Sequence, residues 1–195
     1  MRALAVDKAG SLFVGGSFND AGGNGNADYV AQWNGSTWMP LASGLSDAVL
    51  MLETDRAGTL LVGGDFDDAG GNTSADGIAT WDGSSWAALG AGVNGNGVYA
   101  VTFDDSGNLF AGGGFHSVGH NTDAKRIAKW NGSHWSEVAV ANLPPEVVLQ
   151  GLNGDVHAIV STVRVGGMSA VILSTRVVIQ TLITSLVGAT ETGMH

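Results

Sequence analysis

An all-β repeat architecture is predicted by three features that recur together in the 195 residues. The first is an apolar phrase closed by paired glycines: Leu12-Phe13-Val14-Gly15-Gly16, Leu60-Leu61-Val62-Gly63-Gly64 and Leu109-Phe110-Ala111-Gly112-Gly113. The second is a Trp-(Asn/Asp)-Gly-Ser-x-Trp phrase, spanning Trp33 to Trp38, Trp81 to Trp86 and Trp130 to Trp135, whose first tryptophan falls 17 residues after the second glycine each time. Both anchors return every 48 or 49 residues, which marks an internal repeat. The third is a composition of 31 glycines against 3 prolines without a Gly-x-y period, which favours short strands joined by tight turns.

Each unit opens on a short apolar segment: Arg2 to Asp7, Leu50 to Asp55 and Tyr99 to Asp104. Such segments read as strands buried on both faces. Each ends in Asp-x-x-Gly, where the carboxylate can accept from backbone N–H groups just ahead and the glycine can turn. Turn chemistry therefore accounts for these aspartates better than catalysis. The glycine-pair phrase is the second strand, with Phe18, Phe66 and Phe115 placed to pack over the gap the glycines leave. No helix pattern or P-loop lysine follows, which removes a phosphate-cradle reading. The third and fourth strands flank the tryptophan phrase. Asn34-Gly35, Asp82-Gly83 and Asn131-Gly132 predict tight hairpins in which both central residues take positive φ. Asn34, Asn72 and Asn131 also begin Asn-x-Ser/Thr patterns, but turn formation explains Asn34 and Asn131.

Four short antiparallel strands per unit of about fifty residues is the signature of a propeller blade. The order of apolar strand, Gly-Gly, variable loop and Trp-centred hairpin resembles the kelch-like β-propeller repeats of many bacterial surface and secreted proteins. The likeness covers residues 1–140 well and 151–167 in part. The two tryptophans five residues apart depart from the kelch pattern, which has a tyrosine and a tryptophan at another spacing. The resemblance implies a propeller-type repeat, an extracellular or cell-surface location, and a noncatalytic module binding a protein or glycan. The alternative is a propeller hydrolase or lyase with its site in a central channel. Copper oxidases built on such propellers need a cysteine, and this chain has none.

The expected organisation is three blades over 1–140 (about 1–48, 49–97 and 98–140), a proline-containing linker over 141–150, and a degenerate partial fourth blade or irregular β tail over 151–195. Pro144-Pro145 breaks the register. Gly151 to Val156 then echoes Gly44 to Val49, and Val165-Gly166-Gly167 echoes the glycine pair. From Met168 to Val187 the chain is rich in Val, Ile, Leu, Thr and Ser, which suits strands. A membrane anchor there is disfavoured by Arg176 near its middle, at a cost of about 2.5 to 3.5 kcal/mol. Three good blades and a damaged one predict an open or incomplete propeller, with self-association through uncovered blade faces. Met1 aligns with Val49 and Val98 without a leader-like apolar run, so the chain is expected to be cut at a module edge.

A net charge of −10 and a pI near 4.6 repel nucleic acid and anionic lipid, so neither is an expected partner. A mean hydropathy of +0.17 argues for a folded chain. The absence of cysteine removes disulfides and thiolate chemistry. In a meander of four strands, the second-to-third loops and blade connections share one rim, and such loops are where binding residues gather. That rim carries Asn19, Asp20 and Asn24, then Asp65, Asp67, Asp68 and Asn72, then His116 and His120, together with the connections Gly44 to Ala48 and Gly92 to Gly97. Asp65, Asp67 and Asp68 are weak candidates for calcium, since clustered carboxylates and a glycine turn suit a hard cation. Their spacing is not that of an EF-hand, and Asx turns that order a glycine-rich loop account for it better. His116 and His120, four apart beside Gly119, lack a third ligand at zinc spacing. No resident cofactor is expected.

Overall fold

A computed structural model describes residues 1–104, 106–138, 154–160 and 172–174. Three four-stranded antiparallel sheets follow one another along the chain, each a simple meander. The first holds β1 (Ala3–Val6), β2 (Leu12–Gly15), β3 (Val30–Trp33) and β4 (Trp38–Pro40). The second holds β5 (Val49–Thr54), β6 (Leu60–Gly64), β7 (Ile78–Trp81) and β8 (Trp86–Ala88). The third holds β9 (Val93–Phe103), β10 (Leu109–Val118), β11 (Ile127–Trp130) and β12 (Trp135–Glu137). A further antiparallel pair, β13 (Ala158–Val160) and β14 (Ile172–Ser174), lies in the region expected to be a degenerate fourth unit. The sheets are blade-like repeats, and none closes on itself. Among the described residues the only helical element is one 3₁₀ turn, Ala21–Gly23, and no helix is long and apolar enough to cross a membrane. The linker predicted over 141–150, and all of the Met168 to Val187 stretch except β14, lie outside the described residues.

Because side chains alternate across a strand, each sheet offers one apolar set to the sheet before it and another to the sheet after. Phe13 of β2 packs with Leu60 and Val62 of β6 in one core cluster. Leu61 of β6 packs with Leu109 and Ala111 of β10 in the next, and Phe110 packs with Val156 and Ile159 in a third. The core is therefore a row of intersheet layers. Phe66 and Phe115, both fully buried, lie in the first two layers, whereas Phe18 at the same place in the first sheet is half-buried.

The paired glycines serve two separate close approaches. A methyl group on the first of each pair would meet the valine of the next unit: Val49 Cβ at 2.9 Å from Gly15, Val98 Cβ at 3.1 Å from Gly63, and Val156 Cβ at 3.0 Å from Gly112. The second glycine abuts the backbone of its own sheet's opening strand, at Met1 for Gly16, Ala48 and Val49 for Gly64, and Gly97 and Val98 for Gly113.

Two expectations are corrected. The Trp phrases are not two-residue hairpins. Register pairs Trp33 with Trp38, Trp81 with Trp86 and Trp130 with Trp135, leaving four-residue loops. Only Gly35, Gly83 and Gly132 take positive φ there, because the Asn34, Asp82 and Asn131 side chains fold each turn by accepting two backbone N–H bonds. Second, the third unit's strands are not short: β9 and β10 run on as a bulged ribbon that absorbs the Gly92 to Gly97 connection almost entirely. His116 therefore lies in a strand rather than a loop. Trp81 is 7% exposed, while Trp33 and Trp130 are half-buried and Trp135 is the buried member of the third pair.

Candidate functional site

The second-rim residues are held by local turns and by contacts between consecutive units. Asp20 sits at φ 54, with its N–H donating to Asp28 Oδ1 at 2.8 Å. Asn24 Oδ1 accepts from the Asn26 N–H at 3.0 Å, and Asn72 Oδ1 from the Ser74 N–H at 3.1 Å, both Asx turns. Asn19 is exposed on the same loop. Asp67 and Asp68 donate their N–H groups to Ser46 Oγ of the preceding connection, at 3.0 and 3.2 Å, and the Asp68 carboxylate folds onto the Gly71 N–H. Exposed His116 lies on β10 and exposed His120 just beyond it at φ 67.

The structure brings Asp65, Asp67 and Asp76 together around a cavity of about 220 Å³ at the junction of the second and third sheets. Gly64, Gly77, Asn94, Gly95 and Gly97 complete most of its wall. Burial, and then the negative charge of Asp47, raises the Asp65 carboxyl above its ordinary value, with Arg2 opposing. Burial raises Asp76 as well, aided by Asp67 and Asp68. The site is a crowded carboxylate pocket that gains from a positive charge. Among the described residues no three carboxylate or imidazole groups converge as a metal site, so Asp65, Asp67 and Asp68 are not brought together as one.

A second polar group was missed at sequence level. Tyr99 stacks on the His157 ring with centroids 5.0 Å apart, Asp155 lies beside its hydroxyl, and Asp155 pairs with Arg126. Burial and then Asp155 push the Tyr99 hydroxyl up, so it stays protonated and acts as a donor. Arg126 holds φ 66, a strained setting for a non-glycine residue, at the place filled by Tyr29 and Gly77 in the other units. The signal was available. Arg2, Leu50, Tyr99 and His157 occupy the same place just after the residue that opens each unit, and unlike residues at one repeat position are what a specialised site produces.

No protein-family model matches the sequence, and no curated protein matches it significantly.

Proposed function

We propose that this chain is a noncatalytic interaction module of the kelch-like propeller type, acting at a cell surface or outside the cell, whose second rim engages a protein through basic side chains. The observation that carries the reading is the pocket of Asp65, Asp67 and Asp76, where burial and then neighbouring carboxylates raise Asp65 and Asp76 on a scaffold of packed sheets. A lysine or arginine entering it relieves that repulsion. A glycan is less well served, since Phe66, the pocket's aromatic residue, is fully buried and offers no ring for stacking. Calorimetric titration with tetralysine and with a neutral oligosaccharide tests this. The reading requires saturable, salt-weakened binding of the peptide that Asp65→Asn and Asp76→Asn reduce. Salt-insensitive binding, or none, rejects it.

The alternative, a hydrolase or lyase, draws its support from the Tyr99, Arg126, Asp155 and His157 group. Turnover of an ester or glycoside panel that Tyr99→Phe abolishes would favour it; an inactive chain that still binds tetralysine would not.

A further inference from the structure

In the second and third sheets, the trailing tryptophan of the Trp phrase stands over a segment donated by the unit before. Trp86 Nε1 donates to the Leu41 carbonyl at 3.0 Å, and Trp135 Nε1 to the Leu89 carbonyl at 2.7 Å. Three residues on, the same segment accepts again, from the Gly70 N–H to the Gly44 carbonyl at 3.0 Å and from the Gly119 N–H to the Gly92 carbonyl at 2.8 Å. The donated segments read Leu-Ala-Ser-Gly-Leu (41–45) and Leu-Gly-Ala-Gly-Val (89–93). Both leucines are buried, and both glycines hold positive φ.

The first sheet carries the same receiving groups without a donated segment among the described residues. Trp33 and Trp38 stand with ring centroids 5.2 Å apart at 53°, against 5.2 Å at 52° and 5.3 Å at 49° for the two filled pairs. Gly22, at φ 65, lies under the Trp38 ring as Gly70 lies under Trp86 and Gly119 under Trp135. Among the described residues neither Trp38 Nε1 nor the Gly22 N–H has an acceptor. These residues line an open cleft of about 600 Å³.

We propose that the Trp33–Trp38 cleft is a peptide-binding site for a Leu-x-x-Gly-(Leu/Val) segment of the kind that fills the two equivalent clefts. The leucine carbonyl accepts from Trp38 Nε1 and the glycine carbonyl from the Gly22 N–H, with the leucine side chain entering the apolar face behind. Two internal copies of the same occupant define the ligand chemistry, and the unchanged tryptophan geometry means the site needs no rearrangement to receive it. The cleft is separate from the carboxylate pocket, so the two readings stand or fall independently.

The test titrates a capped synthetic peptide with the sequence of residues 87–96 into the full ¹⁵N-labelled chain. Saturable shifts of the Trp38 indole and Gly22 amide signals are expected. Binding should weaken at least tenfold when the peptide's leucine becomes serine or its second glycine becomes alanine, changes that leave the protein untouched. Trp38→Phe should weaken it comparably. Signals unmoved at millimolar peptide overturn the proposal, as does equal binding of the altered peptides. A homodimer that Trp38→Phe dissolves and the peptide does not displace overturns it too, by assigning the cleft to a second copy.

Discussion

Trp81 and Trp33 stand at one place in two successive repeats, yet the first is buried in the layer holding Phe13 and Leu41 and the second is half-exposed. Truncating a large buried aromatic costs about 3 to 5 kcal/mol, so Trp81→Ala is expected to lose that much in urea unfolding, and Trp33→Ala about 1 kcal/mol. Equal losses would mean that the intersheet layers are wrongly drawn. The glycine pairs give a sharper contrast. A methyl group on Gly64 would strike the Ala48 carbonyl and Val49 Cα, which are backbone and cannot swing away. Gly64→Ala should destabilise by about 1 to 3 kcal/mol, while Gly83→Ala meets open space and should show only the strain of its positive φ.

Strand by strand, the fold was legible because short apolar runs and turn residues repeat three times, so each assignment was checked by two others. The ends of the third unit were not. Asn94, Gly95 and Asn96 look like loop residues, but β10 offers them a pairing partner and tertiary pairing outweighs their low strand propensity. The hairpin type was also hidden, since Asn-Gly serves both a two-residue turn and a longer Asx-capped loop. Those caps carry a pH signature. Backbone bonds from Ser85 and Ser84, then their hydroxyls, hold Asp82 well below the ordinary carboxylate range. Burial works against Asp104, but bonds from Asn108 and Ser106 together bring it below its ordinary value. Both are depressed on folding, so their contribution is complete above the ordinary value of 3.8 and is lost as pH falls through the folded values. Asp82→Asn is expected to flatten the fall in Tm below about pH 4. Binding at the carboxylate pocket should move the other way along the scale. Asp65 and Asp76 are raised, so affinity for a cationic peptide is full above their raised values. It begins to fail on acidification at a higher pH than an ordinary carboxylate would set. Calorimetry at a series of pH values reads this directly. At sequence level the acidic second rim was visible, but the convergence of Asp65 with Asp76 depends on a loop folding back, and the Tyr99 group on contacts between units.

Across the whole molecule, the leading face of the first sheet differs from every other. Leu4 is 53% exposed and Val6 59%, whereas Leu52, at the position of Leu4 in the next unit, is 8% exposed. Register places Leu4 opposite Val14, Val6 opposite Leu12, and Leu12 opposite Trp33, so these side chains form one apolar face. Contiguous apolar surface of this kind promotes association. Replacing Leu4 and Val6 together by lysine should leave unfolding free energy within about 0.5 kcal/mol per site and lower the concentration dependence of light scattering. Leu52→Lys, which buries an unpaired charge, should unfold the chain or cost several kcal/mol. The layered core has one more effect, on how the molecule opens. With each sheet leaning on its neighbours, local opening is governed by how many sides are covered. All five residues of β6 are buried between two layers, while β1 has an uncovered side. Amide hydrogens should therefore exchange with solvent fastest in β1 and slowest in β6, so that the chain unzips from its first sheet inward.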